Sequence, residues 1–181
     1  MKAMQIPGQF NEIETEFLYN LARRKGNIVE IGALFGRSTS VLVEAARIFG
    51  AHVTTVDPFY KTPNTDLISS PKVWRKNLKS VGLEPPELLH MESHEASKIY
   101  DKEISLVFID GGHNYETVKQ DIEDWVPKVK VTGSVVFHDM YMPHIKGVTQ
   151  AVNEWWLNEF ENRTWKLDGM VHYTIAFRKI K

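Results

Sequence analysis

Short apolar runs alternate along the chain with stretches whose apolar residues recur every three or four positions. "NIVEIG" (27–32), "AHVTTVD" (51–57), "PELLHME" (86–92), "ISLVFID" (104–110) and "GSVVFHD" (133–139) read as short strands, apolar on both sides. Between them, "RSTSVLVEAARIFG", "KVWRKNLKSVG", "SHEASKIY" and "YETVKQDIEDWV" carry the helical period. "IKGVTQAVNEWWLNEF" supplies a further helix, in which Trp155 and Trp156, like Trp125 earlier, read as packing residues. An N-terminal helix over "NEIETEFLYNLARRKG" puts Ile13, Phe17, Leu18 and Leu21 on one face, with Gly26 as a stop. The tail "TWKLDGMVHYTIAFRKI" reads as two strands, with Asp168-Gly169 as their hairpin turn.

Strand and helix in strict alternation predict an α/β fold. It is Rossmann-like and doubly wound: a mostly parallel sheet between two helical layers, closed by an antiparallel pair at one edge. No repeat, low-complexity tract or linker interrupts the pattern, so one domain is expected over 1–181, with an N-terminal helical segment over 1–26. The 181 residues carry a net charge of −1, which gives no general attraction to nucleic acid or to an anionic membrane. There are no cysteines, which excludes disulfides, thiolate metal sites and cysteine nucleophiles. With no apolar run of membrane-spanning length and no signal-like start, a cytoplasmic location is the default expectation.

Polar groups end the apolar strands: Glu30 and Gly32, Asp57, Glu92 and Ser93, Asp110, and His138 with Asp139. In an open parallel sheet these ends share one rim, where ligands bind. Gly32 and Gly36 frame the turn from first strand to first crossover helix and let a ligand approach the backbone. The spacing is neither a P-loop, which needs Gly-Lys-Ser/Thr, nor G-x-G-x-x-G, since position 34 is Leu. Asp57 ends the second strand, where a carboxylate can accept both hydroxyls of a ribose. A turn or cap before Pro58 is the structural alternative.

"VEIGALFGRST", "VTTVDPF", "LVFIDGGHNYETVKQDIEDWVPKVKVTGSVVFHD" and "KGVTQAV" together resemble the class I S-adenosylmethionine-dependent methyltransferases. The branch is the small methyltransferase-domain family with the I-D-G-x-H-x-Y signature, related to cephalosporin hydroxylase-like proteins and macrolide-sugar O-methyltransferases. The resemblance runs from Ile28 to Val152. It implies a seven-stranded sheet with the last strand antiparallel, and S-adenosylmethionine as cofactor. It also implies that Glu30, Gly32 and Gly36 line the methionine and ribose, that Asp57 holds the ribose hydroxyls, and that Glu92 and Ser93 contact the adenine, with Phe59 nearby and Asp110 beside the methyl donor.

"IDGGH" places Asp110 at a strand end and His113 after a Gly-Gly turn that can bring it back over the rim. With His138 and Asp139 from the next strand, two carboxylates and two imidazoles suit a divalent ion such as Mg²⁺ or Mn²⁺. A hydroxyl attacking a methyl group needs a base, and His113 has the right ordinary pKa. In the macrolide-sugar enzymes an Asp-x-x-His segment supplies a metal ligand and a base. Asp110 and His113 match it. Asp139 matches the acidic pair at the next strand, but His138 stands where an acid is usual. The reading is therefore O-methylation of a small-molecule hydroxyl, with Asp110 and His113 catalytic and Asp110, His138 and Asp139 as metal ligands. The alternatives are a non-catalytic binding module and a metal-dependent hydrolase or lyase using the Asp110/His138/Asp139 rim. The acceptor would be bounded by the N-terminal helix, the 58–71 loop and residues 140–146, a short lid that leaves room for a second subunit in a homo-oligomer.

Overall fold

The computed structural model describes residues 2–60 and 69–181. A 3₁₀ turn, Lys2–Gln5, leads into α1 (Glu12–Ala22). Then β1 (Gly26–Ile31), α2 (Arg37–Phe49), β2 (Ala51–Val56), α3 (Pro71–Ser80), β3 (Glu87–Leu89), α4 (Ser93–Ile99) and β4 (Ile104–Ile109) alternate. They are followed by α5 (Tyr115–Trp125), β5 (Val129–Phe137), α6 (Lys146–Asn162), β6 (Trp165–Val171) and β7 (Thr174–Lys179). The seven strands form one sheet in the order β3-β2-β1-β4-β5-β7-β6. β1 to β5 pair in parallel, and β7 runs antiparallel to both its neighbours.

Both sheet faces are covered, which is why the central strands carry apolar residues at every position. β4 is buried along its whole length. On one face, Ala96, Ile122, Trp125 and Val152 from α4, α5 and α6 pack on Val29, Val107 and Val135. On the other, Leu18 and Leu21 of α1 and Val41, Leu42 and Ala45 of α2 pack on Ile28, Leu106 and Val136. α3 closes the edge with Trp74 and Leu78.

Two details depart from the sequence pattern. The hairpin turn is His172-Tyr173, with His172 at φ 52°. Asp168-Gly169 lies inside β6, where the pairing with β7 slips a residue. Gly169 adopts φ 151° against the Phe17 ring, and Asp168 accepts two hydrogen bonds from the Arg178 guanidinium. An Asp-Gly pair serves a bulge as well as it serves a turn, since both need a glycine-tolerant backbone. In α1 the inward stripe is Glu14, Leu18, Leu21 and Ala22, and Ile13 is 65% exposed.

Past the strand ends, hydrogen bonding continues by one residue. Gly32 N–H donates to Val56 O (2.9 Å), Asp57 N–H to Leu89 O (3.3 Å), Asp110 N–H to Ile31 O (2.8 Å) and His138 N–H to Ile109 O (3.1 Å). The polar residues at four strand ends are thus stitched into one rim. Because β2 and β4 flank β1, the crossovers diverge there and open a crevice. Gly32, at φ +88°, makes this possible: a Cβ there would lie 2.1 Å from the Asp110 carbonyl oxygen. Gly32→Ala should therefore destabilise the fold by about 2–5 kcal/mol, from left-handed strain plus overpacking, read as a lowered urea midpoint with unchanged slope.

Candidate active site

A cleft of about 570 Å³ follows the carboxyl ends of β1, β2, β4 and β5. That volume is in the range of small-ligand sites. Gly32, Asp57, Glu92, Ser93, Asp110, His113, His138 and Asp139 all line it, so most of the residues singled out from the sequence converge. Part of the 58–71 loop, residues 61–68, lies outside the described residues.

Asp57 is 9% exposed and already organised. Its Oδ2 accepts from the backbone N–H groups of Ala33 (2.7 Å) and Leu34 (3.0 Å), and its Oδ1 from Phe59 N–H (2.6 Å). A carboxylate has about four acceptor positions, so with three filled, room remains for one further donor.

Glu30 and Gly36 do not line the cleft. Glu30 is fully buried and accepts hydroxyl hydrogen bonds from Ser38 (2.7 Å), Thr39 (2.6 Å) and Thr55 (2.9 Å). It ties β1 to α2 and β2 beneath the turn. Gly36 begins α2 at φ 95°, where a Cβ would press on the Trp74 ring at 3.0 Å. Tyr115 also turns from the cleft and donates to Glu154 (2.7 Å).

The outer wall is the N-terminal segment Pro7–Phe10. Arg37 holds it by donating to Ile6 O and Phe10 O, both at 2.7 Å. The Phe10 ring then meets the His138 ring edge to face, with centroids 5.1 Å apart.

The charged end of the cleft is built around His138, which is 6% exposed. Its Nδ1 lies 3.0 Å from Asp110 Oδ1 and 3.4 Å from Asp139 Oδ1. Its Nε2 lies 3.3 Å from Glu14 Oε1, near enough for ion pairing but off the hydrogen-bonding line. Burial opposes the imidazolium, but the three carboxylates outweigh it and push His138 up to about 12. Both ring nitrogens face carboxylates, which sets His138 as a cation among acids. The expected ligand set was Asp110, His138 and Asp139, but the ligand atoms that lie close together are grouped on a different histidine.

His113 takes its place in the ligand set. His113 Nε2 is 2.9 Å from Asp139 Oδ2, and ligand atoms of Asp110, His113 and Asp139 lie within 4.8 Å of one another. Asp139 Oδ1 is buried and, among the described residues, has no hydrogen-bond partner. Burial would raise the Asp139 carboxyl, but His113 and His138 hold it well below the ordinary range. Burial raises Asp110, with Asp139 adding to that and His138 opposing it. The Asp139 hydrogen bond raises His113. These donors, with one unpartnered carboxylate oxygen, fit a divalent cation.

Glu14, the third acid around His138, is the residue that sequence reasoning missed. It is 1% exposed, and its Oε2 accepts from Asn11 N–H (3.1 Å) in a capping box. Its Oε1 accepts from Tyr173 N–H (3.2 Å) and Thr174 Oγ1 (3.0 Å). Burial acts to raise its carboxyl, but His138 and these donors hold it below the ordinary value. The Asn11-x-x-Glu14 spacing marks a helix start. It does not foretell a partner 124 positions away.

A sheet of this order, with an acid-ended second strand and the crevice at β1, defines a class I methyltransferase fold. The chain belongs to the Methyltransferase domain family, which it matches over residues 29–140. Over 41 residues it is 44% identical to the Uncharacterized protein y4gI of Sinorhizobium fredii (strain NBRC 101917 / NGR234), a stretch that is 23% of this chain and 4% of that protein. The chain thus spans only a small part of the curated relative's length. Among solved structures it is similar to the O-methyltransferase NovP, with TM-score 0.75 and 18% identity over 93% of this chain and 80% of that one. CalS11, a TDP-rhamnose 3'-O-methyltransferase of calicheamicin biosynthesis, gives TM-score 0.66 and 17% identity over 93% and 81%. An rRNA methylase from Streptococcus thermophilus gives 0.67 and 14% over 96% and 98%. At these identities the likeness is one of fold. Among the described residues, no helix is long and apolar enough to cross a membrane.

Glu30 yields a pH prediction. Burial, only partly offset by the three hydroxyls, pushes its carboxyl up to about 7, against 4.5 ordinarily. Between these values the folded state holds a proton that the unfolded chain releases, so stability falls as pH rises through this window and is then level. Glu30→Gln should remove about 2–3 kcal/mol of that pH-dependent loss, measured by urea unfolding at pH 4.5, 6 and 8.

Proposed function

We propose that this protein is an S-adenosylmethionine-dependent methyltransferase acting on a hydroxyl of a small molecule. The observation that carries the reading is one cleft with an organised carboxylate, Asp57, in one part and the Asp110/His113/Asp139 set in another. Asp57 would hold the ribose hydroxyls, Gly32 the closely approaching cofactor backbone, and the walls by Ser93 and Phe59 the adenine. The cofactor supplies a methyl group on a sulfonium sulfur. That CalS11 is a TDP-rhamnose 3'-O-methyltransferase supports a hydroxyl acceptor here. A hydrolase using the acidic rim alone gives the Asp57 end of the cleft nothing to do.

His113 is the base. Its imidazole removes the acceptor's proton, and Asp139 orients the ring and stabilises the imidazolium that forms. Catalysis is otherwise positioning, with the acceptor wall set by Pro7–Phe10. His138, already protonated, keeps Asp110 and Asp139 in place without exchanging a proton.

The unpartnered Asp139 oxygen favours a second, metal-assisted reading. Asp110, Asp139 and His113 would hold Mg²⁺ or Mn²⁺, which would lower the acceptor hydroxyl's pKa. A His113 nitrogen on a cation cannot also take a proton, so the two roles of His113 are separable.

Three outcomes are expected. Calorimetry should give S-adenosylmethionine binding by the wild type and none by Asp57→Ala, with the fold intact by circular dichroism. Heat from Mg²⁺ or Mn²⁺ but none from the nucleoside would sink the reading. His113→Gln should lower kcat by about 10²–10⁴. Because Asp139 raises His113, the base becomes free only at higher pH. The kcat of the metal-free enzyme should therefore rise with pH with an apparent pKa above 6.5, and Asp139→Asn should move that profile down.

A further inference from the structure

The acid expected to face the adenine, Glu92, is exposed at the start of α4 and makes no side-chain cap bond. The buried acid in that wall comes from a different element. Asp121, on α5, is 5% exposed and lines the cleft. It belongs to a directed chain of hydrogen bonds. Trp125 Nε1 donates to Ser93 Oγ (2.8 Å), and the Ser93 hydroxyl donates to Asp121 Oδ1.

That direction has a chemical consequence. A serine hydroxyl has one proton, and here Asp121 receives it, so Ser93 has none for a ligand. Among the described residues, Asp121 Oδ2 accepts no hydrogen bond. It faces the loop after β4, where a Cβ on Gly111 would lie 3.6 Å from it. The cleft wall beside Gly111 therefore carries an acceptor with no donor among the described residues. Burial pushes the Asp121 carboxyl up to about 6, still ionised near neutral pH and so an acceptor only.

We propose that Asp121, aimed by Ser93 and Trp125, is the residue that selects the base of the bound nucleoside, accepting a hydrogen bond from the 6-amino group of adenine. This rests on the adenosyl-cofactor reading above. An amine donates to a fixed acceptor, whereas a base without that amine leaves a buried carboxylate oxygen unpaired and is rejected for that reason.

The test is calorimetry on the full chain with two probes: S-adenosylhomocysteine, and its analogue with unsubstituted purine in place of adenine. The wild type should prefer the adenine compound by about 10- to 100-fold. Asp121→Ala should bind both compounds alike, more weakly than the wild type binds the adenine compound and more tightly than it binds the purine compound, because no carboxylate oxygen is left unpaired. An equal affinity of the wild type for the two probes would overturn the proposal without recourse to any variant. So would an Asp121→Ala protein that keeps the wild-type ratio. If the wild type binds neither probe, the cofactor reading itself fails and takes this assignment with it, an outcome distinct from binding without discrimination.

Discussion

The site depends on the sheet's hydrogen bonding running one residue beyond the strands. Gly32, Asp57, Asp110 and His138 each give their backbone N–H to the last residue of a neighbouring strand. This fixes where each side chain leaves the rim, and it leaves the loops no freedom to drift. Gly32 is the tightest point, because the β1 and β4 exits touch there through a bare α-carbon. Residues far apart in the chain become neighbours through a backbone ladder that is indifferent to their chemistry. The chemistry is then set by which side chains stand at those four positions.

Much of this was legible in the residues. Apolar runs ending on acids are enough to place strands and a rim, because a strand covered on both faces can admit polar groups only at its ends. Asp57, Asp110, His138 and Asp139 followed from that rule, and His113 from the Gly-Gly turn after Asp110. The surroundings of His138 did not, since nothing local reveals that a carboxylate from α1 reaches its far nitrogen. Glu14 was hidden for the same reason. It occupies a core position in its helix, and a stripe counted in apolar residues shifts to Ile13 instead. Glu30 was read as a cofactor contact from the resemblance, yet its strand position points it into the layer under α2, among hydroxyls. The Asp168-Gly169 pair was ambiguous in principle, because bulges and hairpin turns draw on the same residues.

The buried charges deserve comparison with an apolar alternative. A desolvated imidazolium among Glu14, Asp110 and Asp139 is a poor way to gain stability, since the desolvation penalty can exceed the attraction. Removing one member would leave the others uncompensated. What the arrangement supplies is fixity: two carboxylates with repelling charges, Asp110 and Asp139, are held close together where they line the cleft. Glu30 shows the opposite solution, a lone acid satisfied by hydroxyls and held nearer to neutrality.

The Arg37 clasp on the Ile6 and Phe10 carbonyls, with Phe10 against His138, has a bearing on how the molecule assembles. The segment Pro7–Phe10 closes a pocket whose opposite side lies more than a hundred residues further along the chain. Contacts that span such separations carry the largest loop-closure penalty and tend to form late. A folding chain will therefore complete the Asp57 side of the cleft, built from adjacent βαβ units, before the side walled by Pro7–Phe10. The two sides should emerge as separate events during refolding, the second waiting on the return of Pro7–Phe10 to the rim.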